Sequence, residues 1–121
     1  MFIWRDDQVL LEVATSDGSF LAEDHLTTLF GALDRAGIHV RLMQQSATHF
    51  GLVTDRDATR IAALTHAVSG TLEVGVEEGL SLLTVRHGTR EVLEGLTAGW
   101  QVVVEQRAGA TWRRVLRATN P

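Results

Sequence analysis

The sequence predicts an α+β fold in which a β-α-β-β-α-β unit is followed by a shorter β-α-β-β repeat of the same order. Three observations carry this. Short Val- and Leu-rich or alternating runs recur as strands should, while two longer segments repeat apolar residues with helical spacing. Glycines stand singly where those runs stop, and the one proline is the last residue, so nothing interrupts an element. At 121 residues, 45% of them hydrophobic, the chain can bury about two-thirds of its unfolded surface, as one domain or two small interleaved units.

Gln8 to Ala14 is a short apolar run suited to a buried strand. Thr15-Ser16-Asp17-Gly18-Ser19 is a loop. Leu26, Leu29, Phe30 and Leu33 then form the stripe of a helix that Asp24 is placed to cap and Gly37 to end in a left-handed cap. Ile38 to Met43 alternates with period two, Ser46 and Ala47 mark a reversal, and Phe50 to Thr54 returns. As a hairpin these two strands put Ile38, Val40 and Leu42 on one face with Phe50 and Leu52. Asp55 or Asp57 opens a second helix striped by Ile61, Leu64 and Val68, which Gly70 closes; Thr71 to Val76 alternates again. Residues 8–78 thus spell the ferredoxin-like βαββαβ order, an antiparallel sheet with two helices on one face.

The remainder restarts the pattern. Leu80 to Arg86 is a strand, Arg90 to Leu96 a short helix, and Gln101–Glu105 and Thr111–Leu116 two strands turning at Ala108-Gly109. This unit stops at Ala118-Thr119-Asn120-Pro121 without its last helix and strand. A sheet edge left empty would expose unpaired backbone groups. Phe2-Ile3-Trp4 is strand-like and unclaimed by the first unit, so it is expected to fill that edge, making residues 1–7 and 79–121 one unit. Trp4, Trp100 and Trp112 then all fall in this thin unit, where they are expected to pack its core.

Composition excludes much. Eleven basic residues against 15 acidic ones give a net charge of −4, against a nucleic-acid partner, which needs a basic stripe. There is no cysteine, hence no disulfide, thiolate zinc site or cysteine nucleophile. No apolar run approaches a membrane span and the charged start does not read as a signal peptide, so a cytoplasmic protein without a membrane partner is expected. Every basic residue is Arg; the absence of Lys removes a phosphate-binding or Schiff-base lysine. The serines lack a nucleophile-elbow context and no glycine-rich phosphate loop occurs. Asp6-Asp7 and Glu77-Glu78 are adjacent on strands, so each pair splits between faces.

Five histidines lack metal-ligand spacing; only His39 and His49, on paired strands, are placed to approach, and they have no third ligand. Arg113, Arg114 and Arg117 beside Trp112 are expected on a solvated edge or an interface. Neither catalytic residue, metal nor cofactor is expected.

Four stretches bring a resemblance into view. They are Val9-Leu10-Leu11 with Phe20-Leu21-Ala22-Glu23; Leu29 to Leu33 running into Ala36-Gly37-Ile38-His39-Val40; Gln45-Ser46-Ala47; and Val74-Gly75-Val76-Glu77-Glu78-Gly79-Leu80-Ser81-Leu82-Leu83. Together they resemble the C-terminal regulatory region of aspartokinases, a tandem of amino-acid-sensing ACT domains. The resemblance implies an ACT domain over 8–78 followed by a truncated ACT-like unit completed by the N-terminal strand. It also implies a regulatory rather than catalytic chain, a homodimer formed through the first unit, and a kinase domain in cis or in trans. The parent reaction would be aspartate phosphorylation at the entry to lysine, threonine and methionine biosynthesis. An amino-acid effector would contact Ser16, Asp17, Gly18, Ser19, Phe20 and Leu21, then His39, Val40 and Arg41, then Gln45 and Ser46. Arg41 stands where many family members carry an aspartate, and Gln45-Ser46-Ala47 where many have Thr-Ser-Glu. Both changes remove acids that a lysine ligand would use. An alternative role is therefore an ACT-like dimerisation module without an effector.

Overall fold

A computed structural model describes residues Met1–Thr119; Asn120 and Pro121, the end of the terminal segment named above, lie outside the described residues. The elements run β1 (Phe2–Thr15), α1 (Glu23–Ala36), β2 (Val40–Gln45), β3 (His49–Asp55), α2 (Ala58–Val68), β4 (Leu72–Arg86), α3 (Arg90–Leu96), β5 (Trp100–Ala108) and β6 (Thr111–Ala118). The chain divides into two compact units, Val9–Glu78 and Met1–Gln8 with the chain from Gly79 onward. Both are α+β, and β1 and β4 contribute one half to each.

In the Val9–Glu78 unit the strand order is β2-β3-β1-β4. Its core gathers Val9, Leu11 and Val13 of β1, Leu29, Ala32 and Leu33 of α1, Phe50 and Leu52 of β3, and Ile61, Leu64 and Val68 of α2. Gly37 ends α1 in the left-handed conformation (φ 70°), which a β-carbon would strain. The N-cap of α1 is Ala22, not Asp24: His25 reaches back so that its Nδ1 accepts from the Ala22 N–H at 3.0 Å. Asp24 stands in the first turn, where its charge suits the helix dipole. Asp57 rather than Asp55 caps α2, its side chain accepting from Arg60 N at 3.1 Å.

The β2–β3 hairpin departs from simple alternation. Val40 pairs with Thr54, but a bulge follows and Leu42 pairs with Val53. Ile38 and Val40 pack on the core with Phe50 and Leu52, as expected. Leu42 instead shares a face with Val53, because the extra residue of a bulge turns the following side chains over. The same register places Gln45 opposite Phe50, so His39 and His49 sit at opposite ends of the hairpin and do not approach. No cluster capable of holding a metal occurs among the described residues.

The other unit has the order β1-β4-β6-β5, the same arrangement with the N-terminal half of β1 in the fourth place. The Arg86 N–H donates to the Met1 carbonyl at 3.0 Å. Leu83, Val85, Leu93, Trp112 and Leu116 form its core, with Trp4, Leu96 and Trp100 against it. Trp4 and Trp100 meet edge to face, 5.2 Å between centroids. Residues 2–15 and 72–86 are each one continuous strand where separate short ones are expected from the sequence. One left-handed residue stands inside each, Asp7 at φ 52° and Gly79 at φ 77°, where the chain passes between units. No helix among the described residues is long and apolar enough to cross a membrane.

Arg114 is not on a solvated edge. It is 5% exposed and on the α3 side of β6, alternating with Trp112 and Leu116, where its guanidinium meets Glu94 and Glu105 and donates to Thr97 Oγ1 at 2.9 Å. Burial lowers its pKa, but the hydrogen bonds to the two carboxylates outweigh that and leave it raised. Those bonds in turn hold the Glu94 carboxyl below the ordinary range.

Candidate functional site

Ser16, Asp17, Gly18 and Ser19 fold into a turn closed by its own side chains. Asp17 Oδ1 accepts from both Ser19 N (3.0 Å) and Ser19 Oγ (2.7 Å), and Thr15 Oγ1 donates to the Ser19 carbonyl at 2.7 Å. Gly18 supplies the left-handed residue such a turn needs. The Ser16 N–H donates to the Thr71 carbonyl at 3.1 Å, which ties the loop to the start of β4. Hydrogen bonds from the Ser19 hydroxyl and then its N–H hold the Asp17 carboxyl below the usual value of 3.8, so it is anionic at neutral pH.

This loop meets the β2–β3 reversal through one backbone contact: the Leu21 N–H donates to the Ala47 carbonyl at 3.1 Å. The reversal is itself pinned. Ser46 N donates to the His49 carbonyl at 2.9 Å, and His49 N donates to Ser46 Oγ at 3.1 Å. Leu21 packs on the core while Phe20 is 72% exposed. The structure therefore brings the Leu21 end of the 16–21 segment against Ala47, in the same turn as Gln45 and Ser46, while Ser16 at its other end is tied to Thr71. Asp17, Glu23 and Asp24 are the acids on this loop and the adjoining helix start. Carboxylates favour an ammonium group, while loop and helix-start N–H groups suit a carboxylate, so an amino acid offers both halves of a match.

His39, Val40 and Arg41 lie at the other end of β2, away from this group. Six residues of strand separate His39 from Gln45, about 20 Å at strand rise. Arg41 is held by Asp55 of β3, Nη2 to Oδ2 at 3.0 Å, and the His39 carbonyl accepts from Thr54 Oγ1 at 2.8 Å. A cavity of 220 Å³ opens beside them, lined by Gly37, His39, Thr54, Asp55, Asp57 and Arg60 among others. The candidate residues of one chain thus fall into two clusters. Sequence reasoning missed Thr71, the Ala47 carbonyl and the His25 ring; the first two act through backbone atoms, which residue types do not disclose.

Two compact units, each built from one α+β order, with a pinned loop beside a hairpin turn, define the fold. No protein-family model matches the sequence, and no curated protein does either. Solved structures are informative. Aspartokinase III of E. coli, in complex with lysine and aspartate in its T-state, superposes over 96% of this chain with a TM-score of 0.74 at 22% identity. This chain spans 29% of that one. A Porphyromonas gingivalis chain described as a C-terminal regulatory domain of aspartate kinase gives a TM-score of 0.78 at 18% identity, over 98% of this chain and 86% of its own. The regulatory subunit of aspartate kinase from Thermus thermophilus gives 0.71 at 13%, over 97% and 87%. The fold is that of aspartokinase regulatory regions.

Proposed function

We propose that this chain is an allosteric regulatory module that senses an amino acid and dimerises through the Val9–Glu78 unit. The observation that carries the reading is the Leu21–Ala47 contact, which holds the 16–21 loop against the 45–47 turn in a fold shared with aspartokinase regulatory regions. Dimerisation accounts for the split between the two clusters of candidate residues: at a two-fold axis, one copy's His39–Arg41 can complete the other copy's loop. β2 ends the strand order of the unit, so its outer edge is available to extend the sheet. An effector that binds one dimer arrangement better than another shifts the population, and a kinase domain in cis or in trans reads the shift. The pathway served would be that of aspartate to lysine, threonine and methionine.

A second reading, a dimerisation module without effector, is favoured by the Arg41–Asp55 pair, which puts a neutralised cation at a position where a ligand's ammonium would need a free acid. A thermal-shift panel of the common amino acids separates the two. Ligand at 100 times its dissociation constant adds about 2.7 kcal/mol, several degrees for a chain this size. One amino acid raising the midpoint supports sensing. A flat panel overturns it, and sedimentation then decides whether dimerisation survives.

A further inference from the structure

We infer that the start of α1 is a proton-operated latch, closed by the neutral imidazole of His25 and opened when that ring takes up a proton. His25 stands at the third helical position of α1, and its Nδ1 accepts from the Ala22 N–H at 3.0 Å. A ring nitrogen accepts only through a free lone pair, so this bond needs the neutral tautomer with its hydrogen on Nε2. Imidazolium carries hydrogen on both nitrogens, and Nδ1 would then face the Ala22 N–H donor to donor. Glutamine or glutamate at this position of a capping box accepts throughout the range near neutrality; histidine does not.

The protonated ring has another partner at hand. Asp24 Oδ1 lies 3.7 Å from the same Nδ1, the acid within ion-pair reach of His25 among the described residues. That carboxylate is 84% exposed, so its pair with imidazolium is weak, but it receives the Nδ1 hydrogen that Ala22 cannot. Glu23 places a second acid in the same turn. Positive charge at a helix N-terminus also opposes the helix dipole, which favours the ring leaving the cap. The elements packed around this end of the unit bring Asp17 of the loop, His49 at the start of β3, His66 in the last turn of α2 and Glu73 near the start of β4. At 18% exposure the His25 side chain is held by its surroundings yet reachable by solvent.

What the latch holds is the chain that leads into the helix. The Ala22 carbonyl accepts from Leu26 N at 3.2 Å, and one residue earlier the Leu21 N–H donates to the Ala47 carbonyl at 3.1 Å. Fixing the Ala22 N–H therefore fixes the residue between the loop-to-turn contact and the first helical bond. Its release lets the first turn fray and loosens the Leu21 end of the loop from the 45–47 turn. That this loosening reaches effector binding rests on the proposed function; the latch itself does not.

The test is NMR on the full chain, comparing the parent with His25→Gln, which keeps an acceptor at the same helical position and does not titrate. In the parent, protection of the Leu21 amide against hydrogen exchange is expected to fall at least about threefold between about pH 7.5 and about pH 5.5, in step with protonation of the His25 ring. In His25→Gln it stays constant over that range. His25→Arg, cationic and without an acceptor, should show the acid-state protection already at about pH 7.5. Parent protection that does not change with pH overturns the proposal. So does an equal fall in His25→Gln, or a fall that follows the His49 or His66 ring instead. The parent titration decides by itself where a substituted chain folds poorly. A flat amino-acid panel would remove the effector reading and leave every one of these outcomes as it stands.

Discussion

Ser81 and Asp6, 75 positions apart, are joined by a hydrogen bond from Ser81 Oγ to Asp6 Oδ1 at 2.9 Å. Trp4 Nε1 donates to the same oxygen at 2.8 Å. Both donors belong to strand residues of the unit that begins at Met1, so a single carboxylate fastens the N-terminal strand at side-chain level where Arg86 and Met1 fasten it through the backbone. Ser81 is buried and finds its partner here, which removes the penalty of an unsatisfied hydroxyl.

A pH dependence follows. The hydrogen bond from Trp4, and then that from Ser81, hold the Asp6 carboxyl below its usual 3.8. A carboxylate depressed in the folded state contributes stability above its unfolded pKa and loses that contribution as pH falls through the folded one. Asp17 has the same sign. Asp6→Asn is therefore less stable than the parent near pH 7, and the difference shrinks as pH falls below about 3.8. Urea midpoints of both proteins across this range check it; a gap independent of pH would show that Asp6 acts by something other than its charge.

Arg114 offers a sharper stability test. Breaking a buried ion pair from one side costs about 3–5 kcal/mol, but Glu94 and Glu105 are 57% and 34% exposed and can rehydrate. Arg114→Ala should thus cost about 2–3 kcal/mol, with Thr97 losing a partner as well. Arg114→Lys should recover little, because one ammonium cannot reproduce bonds directed from Nε, Nη1 and Nη2. Arg114→Met should lie between Ala and the parent, since it fills the volume without satisfying the carboxylates. Chemical denaturation of the three variants ranks them.

Element order was legible in the sequence because the apolar periods and single glycines agree; α3 carries the bounds expected of it, Arg90–Leu96. What was hidden was hidden for physical reasons. Asp6-Asp7 and Glu77-Glu78-Gly79 stand between the short apolar runs expected as separate strands, yet a single left-handed residue lets each strand continue past them. The β2 bulge moves Leu42 to the other face without changing composition. Arg114 could have been placed, since Trp112, Arg114 and Leu116 alternate on one face; a cation between two core residues calls for an acid partner. The loop-to-turn contact of the candidate site could not, because the Leu21–Ala47 bond runs between backbone atoms.

The two left-handed junctions can be tested against each other. A β-carbon at Gly79 would meet nothing within 4 Å, so Gly79→Ala measures backbone strain alone. A left-handed non-glycine residue costs about 1–2 kcal/mol, and a loss of that size is expected by denaturant titration. Asp7 already bears this strain at φ 52°. Asp7→Gly relieves it but adds freedom to the unfolded chain, so its stability should stay within about 0.5 kcal/mol of the parent. An equal loss for both variants would mean that the Asp7 side chain, not its backbone, secures the junction.

Under the proposed function, Arg41 governs which ligand the candidate site accepts. Its guanidinium is held by Asp55, a partly exposed pair with side-chain accessibilities of 24% and 55%, so removing it should cost no more than about 1 kcal/mol. Arg41→Asp replaces that cation with a carboxylate on the same β2 position and leaves Asp55 beside it. The local field then favours a cationic ligand, at the expense of repulsion between the two acids. Under the proposed function, lysine should raise the melting midpoint of Arg41→Asp more than that of the parent. Arg41→Ala, which removes the cation without adding an acid, should give an intermediate response. Added salt should erase the difference between the two variants, since it screens the partly exposed charges that create it. Equal lysine responses in the parent and both variants would place the ligand elsewhere and remove Arg41 from the site. A lysine response in the variants that survives about 1 M salt undiminished would assign the gain to packing rather than charge.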